Sequence, residues 1–178
     1  SNSTISYPTL FQVNRKIKLE GEAYFEVEKG SVFKVITPNG DVQVLGTKFN
    51  VTSYPNWFEV SCFEGKVEVE INNQKFILTP GNSVRKGING LDQIQNFDEN
   101  PKWIEGESTF KSVPLSVVFQ SFNNRYGKKV VLPKNRENLK FTGSFVHNNI
   151  ENALKSICIP VGLQYKIKQD SIILTEVK

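Results

Sequence analysis

The chain has no methionine, one histidine and two cysteines among its 178 residues. Neither cysteine has a second Cys or a His at metal-binding spacing in the sequence, so we predict no zinc-type site at these thiols. There is no run of about eighteen apolar residues that could span a membrane and no signal-peptide pattern at the N-terminus. Because methionine is missing even at position 1, we expect the chain to be a piece of a longer protein.

The composition predicts a folded protein of one or two small domains, since 38% of its residues are hydrophobic. The net charge of +4 is unevenly distributed: residues 1–100 hold 10 basic and 12 acidic side chains, and residues 101–178 hold 12 and 6. The basic residues are scattered, and no RNA-binding string with stacking aromatics occurs, so nucleic acid is not predicted as a partner. A solvated basic face and an acidic protein partner remain as interpretations.

The two cysteines are expected to lie in different cores. Cys62 alternates with Val60 on one face of a predicted strand, whereas Cys158 completes an apolar helical stripe with Leu154 and Ile157. A disulfide needs Cα atoms within about 7 Å of each other. We therefore predict two buried, unpaired thiols.

The first part of the chain reads as short strands separated by turns. Turn signals occur at Gly30, at Pro38-Asn39-Gly40 and at Asn89-Gly90, with alternating apolar residues between them. Gly46 and Gly65 interrupt two of these alternations, and we expect each to bend a strand where another backbone comes close. The pattern predicts a mainly β fold, an antiparallel sandwich or roll.

After Asn100-Pro101 the apolar period changes from two to that of a helix. Pro114 and Gly127 bound a first predicted helix, and Asn148 is the expected cap of a second. The predicted element order is strand, helix, strand, strand, helix, strand, strand, an α+β layout with both helices on one sheet face. We therefore predict two domains, residues 1–98 and 102–178.

Four strings in the first part resemble the periplasmic sensor region of the FecR-type anti-sigma regulators, the iron-dicitrate sensor family. They are GEAYFEV at 21–27, VLGTKFNV at 44–51, EGKVEV at 64–69 and LTPG at 78–81. In that family an upstream strand with a Pro-Asp-Gly turn usually begins the domain, and this sequence starts after it. The resemblance therefore implies that an N-terminal edge strand is missing.

The second part resembles the C-terminal domain of the same regulators and, more distantly, the short N-terminal domain of secretins and TonB-dependent transducers. The residues that carry this resemblance are Trp103, 110–126, 141–145, Ala153-Leu154 and Leu174. Together the two resemblances cover nearly the whole chain.

The resemblance implies a binding protein, not an enzyme, with no cofactor. It implies a location in the periplasm and a partner in the N-terminal signalling domain of an outer-membrane TonB-dependent transducer. The signal would pass to an ECF-type sigma factor through a cytoplasmic segment and a single membrane helix that the sequence does not contain.

No catalytic, cofactor or metal residue is predicted. His147 has no nucleophile or carboxylate beside it in the sequence and reads as a surface loop residue. Tyr54 and Trp57 flank a Pro-Asn turn and could stack on a sugar if they were exposed, so a carbohydrate-binding sandwich with an appended α+β domain is the alternative reading. Packing of these rings in the core is the competing interpretation, and a hydrolase ranks third.

Five basic residues gather around one predicted strand pair of the second domain and form the predicted partner-binding surface: Lys128, Lys129, Lys134, Arg136 and Lys140. A basic rim can steer an acidic partner, and the edge of a small sheet offers unpaired backbone groups for strand addition.

Overall fold

The computed structural model describes residues 3–9, 14–88, 90–96 and 98–177. These residues form two compact units, which we call the N-terminal unit (residues 3–101) and the C-terminal unit (residues 102–177).

The described part of the N-terminal unit contains ten strands: β1 Thr4–Ser6, β2 Lys16–Val27, β3 Phe33–Thr37, β4 Gly40–Val44, β5 Thr47–Tyr54, β6 Trp57–Glu64, β7 Val67–Ile71, β8 Gln74–Leu78, β9 Asn82–Gly87 and β10 Gly90–Gln95. They form one sheet in the order β10-β9-β6-β5-β2-β3-β4-β7-β8, and β1 pairs with β2. All pairs are antiparallel except β2 with β3. The mainly β class and the sandwich or roll architecture are thus confirmed.

The sheet curls into two layers because the long strand β2 belongs to both. Its first part, 16–18, pairs with β3, and its second part, 21–27, pairs with β5. One layer then holds β3, β4, β7 and β8, and the other holds β5, β6, β9 and β10. Apolar residues that alternate along the strands fill the space between the layers, among them the fully buried Phe49, Phe58 and Val69. Burial of such a side chain contributes roughly 1.5–3 kcal/mol.

Two-residue hairpin turns occupy one end of this unit. They lie at Pro38-Asn39, Pro55-Asn56 and Asn72-Asn73, each joining neighbouring strands of one layer. Asn72 and Asn73 have φ of 51° and 63°, as a type I′ turn requires. The predicted Asn89-Gly90 turn joins β9 to β10, which pair with Gly87 opposite Gly90, although Asn89 itself lies outside the described residues.

At the opposite end the chain crosses from one layer to the other, and each crossing contains a glycine. Gly46 lies between β4 and β5, Gly65 between β6 and β7, and Gly81 between β8 and β9. The expectation that Gly46 and Gly65 bend continuous strands was wrong, because the strands end there. Alternation continues on both sides of each glycine, since both layers face the same core, so the sequence pattern alone does not reveal the change of layer.

The expected close approach of backbones is present at these two glycines. A Cβ on Gly46 would lie 2.7 Å from the Cα of Lys29, and a Cβ on Gly65 would lie 2.6 Å from the carbonyl oxygen of Gly46. Gly65 also has φ of +81°, which side chains disfavour. Nearby, the Thr47 hydroxyl donates to the Lys66 carbonyl at 3.0 Å and ties these two crossings together.

The C-terminal unit contains β11 Glu107–Pro114, α1 Leu115–Tyr126, β12 Lys129–Val131, β13 Lys140–Val146, α2 Ile150–Cys158, β14 Leu163–Ile167 and β15 Ser171–Glu176. This order is the predicted one. The strands form two sheets, β11-β13 and β12-β15-β14, and each helix contacts strands of both. The prediction of one sheet with helices on one face was therefore wrong, because β12 pairs with the distant β15 and not with its sequence neighbour β13.

The helix ends follow local sequence signals with one shift. Pro114 precedes α1, and Gly127 ends it with φ of 64°, as predicted. The cap of α2 is Asn149, whose side chain accepts from the backbone N–H of Asn152 at 2.9 Å; the predicted cap Asn148 lies one residue too early. Asn148 and Asn149 are both of a residue type that is favoured at a helix N-cap, and the backbone conformation places Asn149 at that position.

Both cysteines are buried and free. Cys62 belongs to the core of the N-terminal unit and Cys158 to the buried face of α2, as predicted. Burial raises the pKa of the Cys62 thiol to about 11 and that of Cys158 to about 12. Both groups are therefore protonated, poorly reactive thiols at neutral pH.

We expect Gly65→Ala to destabilise the N-terminal unit more than Gly90→Ala. Both positions have positive φ, but an added methyl at Gly90 meets no atom within 4 Å, whereas at Gly65 it meets the Gly46 carbonyl. The clash should add about 1–3 kcal/mol to the conformational cost shared by both variants. Urea unfolding of the two variants measures the difference, and equal losses would show that the crossing is not crowded.

We predict that the two units resist protease and that the segment between them does not. Limited proteolysis should first cut between residues 97 and 106, where the chain passes from β10 to β11. Mass spectrometry of the first fragments locates the site. A first cut within residues 60–80 would contradict the division at this position.

Candidate partner-binding surface

The five predicted basic residues lie at three places in the C-terminal unit. Lys128 and Lys129 are at the start of β12, Lys134 and Arg136 are in the short turn that follows it, and Lys140 begins β13. Lys129, Lys134 and Lys140 are exposed, whereas Lys128 and Arg136 are half-buried.

Two of these five cations interact within the unit. Arg136 Nε donates to Glu176 Oε1 at 2.7 Å, and this hydrogen bond lowers the pKa of Glu176. Lys128 Nζ donates to the carbonyl of Gln169. The Arg136–Glu176 ion pair is partly exposed to solvent and contributes little stability, and its main effect is to fix the Arg136 side chain. The cations left to meet a partner are therefore Lys129, Lys134 and Lys140.

The outer face of the three-stranded sheet has an apolar centre beside basic residues. Val131, Ile173 and Lys166 stand opposite one another across β12, β15 and β14. Val131 is 48% exposed and Ile173 is half-buried, while Lys129 lies two residues before Val131 on the same face. We call Lys129, Val131, Ile173 and Lys166 the sheet face.

Sequence reasoning found only Lys129 of the sheet face. Alternation along β15 would have placed Ile173 opposite the buried Ile172 and Leu174 and so on the outer side. The parallel pairing of β12 with β15, which brings Val131 to Ile173, has no local sequence signal.

The sequence predicted that His147 is a surface loop residue, but in the structure it is half-buried and contacts Ser108. It follows β13, is half-buried, and its Nε2 lies 2.9 Å from the Oγ of Ser108 on β11. A serine–histidine pair resembles a nucleophile and its base, but a third group normally orients the other ring nitrogen. His147 Nδ1 is buried and has no hydrogen-bond partner among the described residues, so the third group is lacking there.

The environment of His147 favours the neutral ring. Burial lowers its pKa, the positive charge of Arg125 lowers it further, and Glu107 partly opposes both. Protonation would place an N–H at the buried Nδ1 without an acceptor. The contact between Ser108 and a neutral His147 therefore joins β11 to the end of β13.

Tyr54 and Trp57 do not form an exposed sugar platform. They are 7% and 5% exposed, and the Arg85 guanidinium lies 5.3 Å from the Trp57 ring centre. The Pro-Asn turn between the two residues folds their rings against the sheet, as the packing interpretation requires. The observation that motivated the carbohydrate alternative is thus removed.

A row of polar residues crosses neighbouring strands beside Tyr54. Glu22 accepts hydrogen bonds from Asn50 and Thr52, at 3.0 and 3.1 Å, and from the Tyr54 hydroxyl at 3.5 Å. Burial raises the pKa of Glu22 in spite of these donors. Because every donor comes from β5, the row fixes β2 against β5, a structural role that period-two alternation did not reveal.

Neither a cluster of metal-ligating side chains nor a membrane-spanning helix occurs in the described part of the chain. Its residues contain no cluster of three or more His, Cys, Asp or Glu side chains that could hold a metal ion. Among the same residues, no helix has the length and apolar character needed to cross a membrane.

Comparison with known proteins gives matches to both parts of the chain. The family model "FecR protein" matches residues 1–68, and the model "FecR, C-terminal" matches residues 107–174. No curated protein matches the chain. Two crystal structures of a candidate anti-sigma factor from Parabacteroides distasonis ATCC 8503 superpose with TM-scores of 0.87 and 0.88 at 28% and 29% identity, each covering 99% of this chain and 87% of the other.

We expect the stability of the C-terminal unit to fall as the pH drops below the pKa of an ordinary histidine. The folded state lowers the pKa of His147, so the unfolded chain binds the proton first, and the loss begins near pH 6.5 and ends at the folded pKa. His147→Gln should reduce the difference in unfolding free energy between about pH 7.5 and about pH 5. Denaturant unfolding at both pH values tests this, and an unchanged difference in the variant would contradict it.

Proposed function

This chain belongs to the FecR family of anti-sigma factors, and we propose that it is the periplasmic sensor part of such a regulator. In this proposal it binds the N-terminal signalling domain of an outer-membrane TonB-dependent transducer. The regulator relays the signal to an ECF-type sigma factor. A cytoplasmic segment and a membrane helix outside this sequence would carry the last step.

The observation that supports this function best is the sheet face of the C-terminal unit. It exposes apolar area at Val131 beside Lys129 and Lys166, an arrangement that suits a protein partner with an acidic rim. Scattered exposed apolar residues need no explanation, but here one lies in a row with the half-buried Ile173, on the face opposite the buried Ile172 and Leu174.

The charge distribution favours the C-terminal unit as the part of the chain that binds the transducer. Residues 101–178 carry an excess of six positive charges, while residues 1–100 carry an excess of two negative ones. Long-range attraction raises the rate at which an acidic partner is captured, and close contacts then determine how long it stays. Lys129, Lys134 and Lys140 would contribute to capture, and Arg136 and Lys128 to the shape of the rim.

The mechanism needs a change in a binding equilibrium and no bond chemistry. A transducer that binds one conformation of the regulator more tightly shifts its population by the difference in affinity. The buried thiols, the preference of His147 for the neutral state and the lack of an orienting group at its Nδ1 among the described residues fit a domain that binds. The family is a regulatory one.

We predict that the fragment 102–178 binds the transducer's signalling domain and that the fragment 1–98 does not. Raising the salt concentration from about 50 to about 500 mM should weaken the binding several-fold, because salt screens the attraction between the exposed cations and an acidic partner. Calorimetry at both salt concentrations measures the effect, with circular dichroism to show that each fragment is folded.

A pair of charge reversals gives the matched control. Lys129→Glu on the sheet face should weaken binding, while Lys75→Glu in the N-terminal unit, which removes an ion pair with Glu68, should leave it unchanged. Binding carried wholly by residues 1–98 would contradict the proposal.

A further inference from the structure

We propose that β14 is a docking strand, to whose open edge an extended acidic segment of the transducer's signalling domain adds as a further strand. This inference rests on the proposed function and deepens it, because it names one edge of one sheet and the pattern of the segment that fits there.

The edge strand β12 at the other side of the same sheet is already covered. Its Val130 N–H points away from β15 and donates to the Asn123 side chain at 3.2 Å, near the end of α1. The strand is also only three residues long. A partner strand could not reach this edge without displacing the helix end.

The two strands of the other sheet, β11 and β13, also lack a regular open edge to which a further strand could add. On β13, the outward carbonyl of Val146 accepts from the Tyr126 hydroxyl at 3.0 Å. On β11, the pairing shifts between Phe110 and Val113, and Ser112 has φ of +54°. Such a bulge interrupts the regular spacing of donors and acceptors that strand addition needs.

The backbone of β14 has its free groups on the outer side. The N–H of Lys168 donates to Ser171 at 2.8 Å, and the N–H of Val177 donates to Gly162 at 3.1 Å. Because antiparallel bonding alternates along a strand, Gln164 and Lys166 also face β15, and the intervening residues face outward. These outward residues are Leu163, Tyr165 and Ile167. In the described part of the chain, no strand pairs with them on that side.

The side chains around this edge define the segment that fits. Lys166 and Gln164 lie on the outer side of the sheet, and Tyr165 and Ile167 lie on the side toward the helices. Ile167 is 39% exposed, so apolar area remains to be covered beside it. Alternate side chains of an added strand would lie beside Gln164 and Lys166 on the outer side, and the others beside Tyr165 and Ile167. Acidic residues suit the first positions, and apolar residues suit the second.

Charge argues against a second copy of this chain as the occupant. Antiparallel pairing of β14 with itself around Tyr165 would put Lys166 of both copies on the same face as diagonal neighbours. Like charges at such positions destabilise a strand pair. An acidic segment reverses the sign of this interaction and also meets the excess positive charge of the whole unit.

The test measures the affinity of the full chain for the purified N-terminal signalling domain of each TonB-dependent transducer of the organism that carries this gene. Ile167→Pro removes one outward N–H without touching the bonds to β15, and edge strands tolerate such a proline. Ile167→Ala is its control, because it loses the same side chain and keeps the N–H. We expect Ile167→Pro to bind about tenfold or more weakly than Ile167→Ala.

Two charge-reversal variants and a measurement of amide hydrogen exchange provide further tests. Lys166→Glu should weaken binding, and Lys155→Glu, on the exposed face of α2, should not. If Ile167→Pro fails to fold, amide hydrogen exchange of the wild-type chain still decides the matter. Binding should slow exchange at Leu163, Tyr165 and Ile167.

The outcomes separate the two proposals. If no signalling domain binds the wild-type chain, the proposed function fails and the docking strand falls with it. If one binds, but neither the variants nor exchange at the three amides respond, only the docking strand is overturned. Protection of the same amides by self-association, without the signalling domain, would identify a second copy as the occupant and also overturn it.

Discussion

The N-terminal unit depends on two backbones that pass each other without side chains between them. At Gly46 and Gly65 the chain leaves one layer of the curled sheet and enters the other, and a Cβ on Gly65 would lie only 2.6 Å from the Gly46 carbonyl oxygen, which leaves no room for a methyl group. Because both crossings lie at the same end, the layers close on the core of Phe49, Phe58 and Val69. The crossings decide which strands share a layer, and the two-residue turns at the opposite end set the register of the hairpins.

This constraint explains why the family is recognisable from sequence and why the proposed binding surface is not. Three of the four family strings, 44–51, 64–69 and 78–81, contain the layer crossings, and the fourth, 21–27, is the half of β2 that pairs with β5. These strings therefore correspond to the segments that close the two-layered sheet. The sheet face and the β14 edge lie in the other unit, where apolar periodicity describes the core but says nothing of which outer residues meet a partner.

Local signals predicted most of the elements, and distant pairings account for the errors. Pro114, Gly127 and the Asn-containing turns bound elements through their own backbone preferences, so the element order was correct. The split of the C-terminal strands into two sheets was missed because β12 pairs with β15, and the Ser108–His147 hydrogen bond was missed because 39 residues separate its partners. Such contacts depend on tertiary structure and leave no periodic trace in the sequence.

The central claim is that the C-terminal unit receives the signal, and competition in living cells tests it most directly. A reporter driven by the regulated sigma factor is measured in cells with the intact regulator, after the transducer's ligand is added. Residues 102–178 or residues 1–98 are exported separately to the periplasm as competitors. The account predicts that residues 102–178 suppress induction and that residues 1–98 leave it unchanged. Suppression by residues 1–98 alone would contradict it.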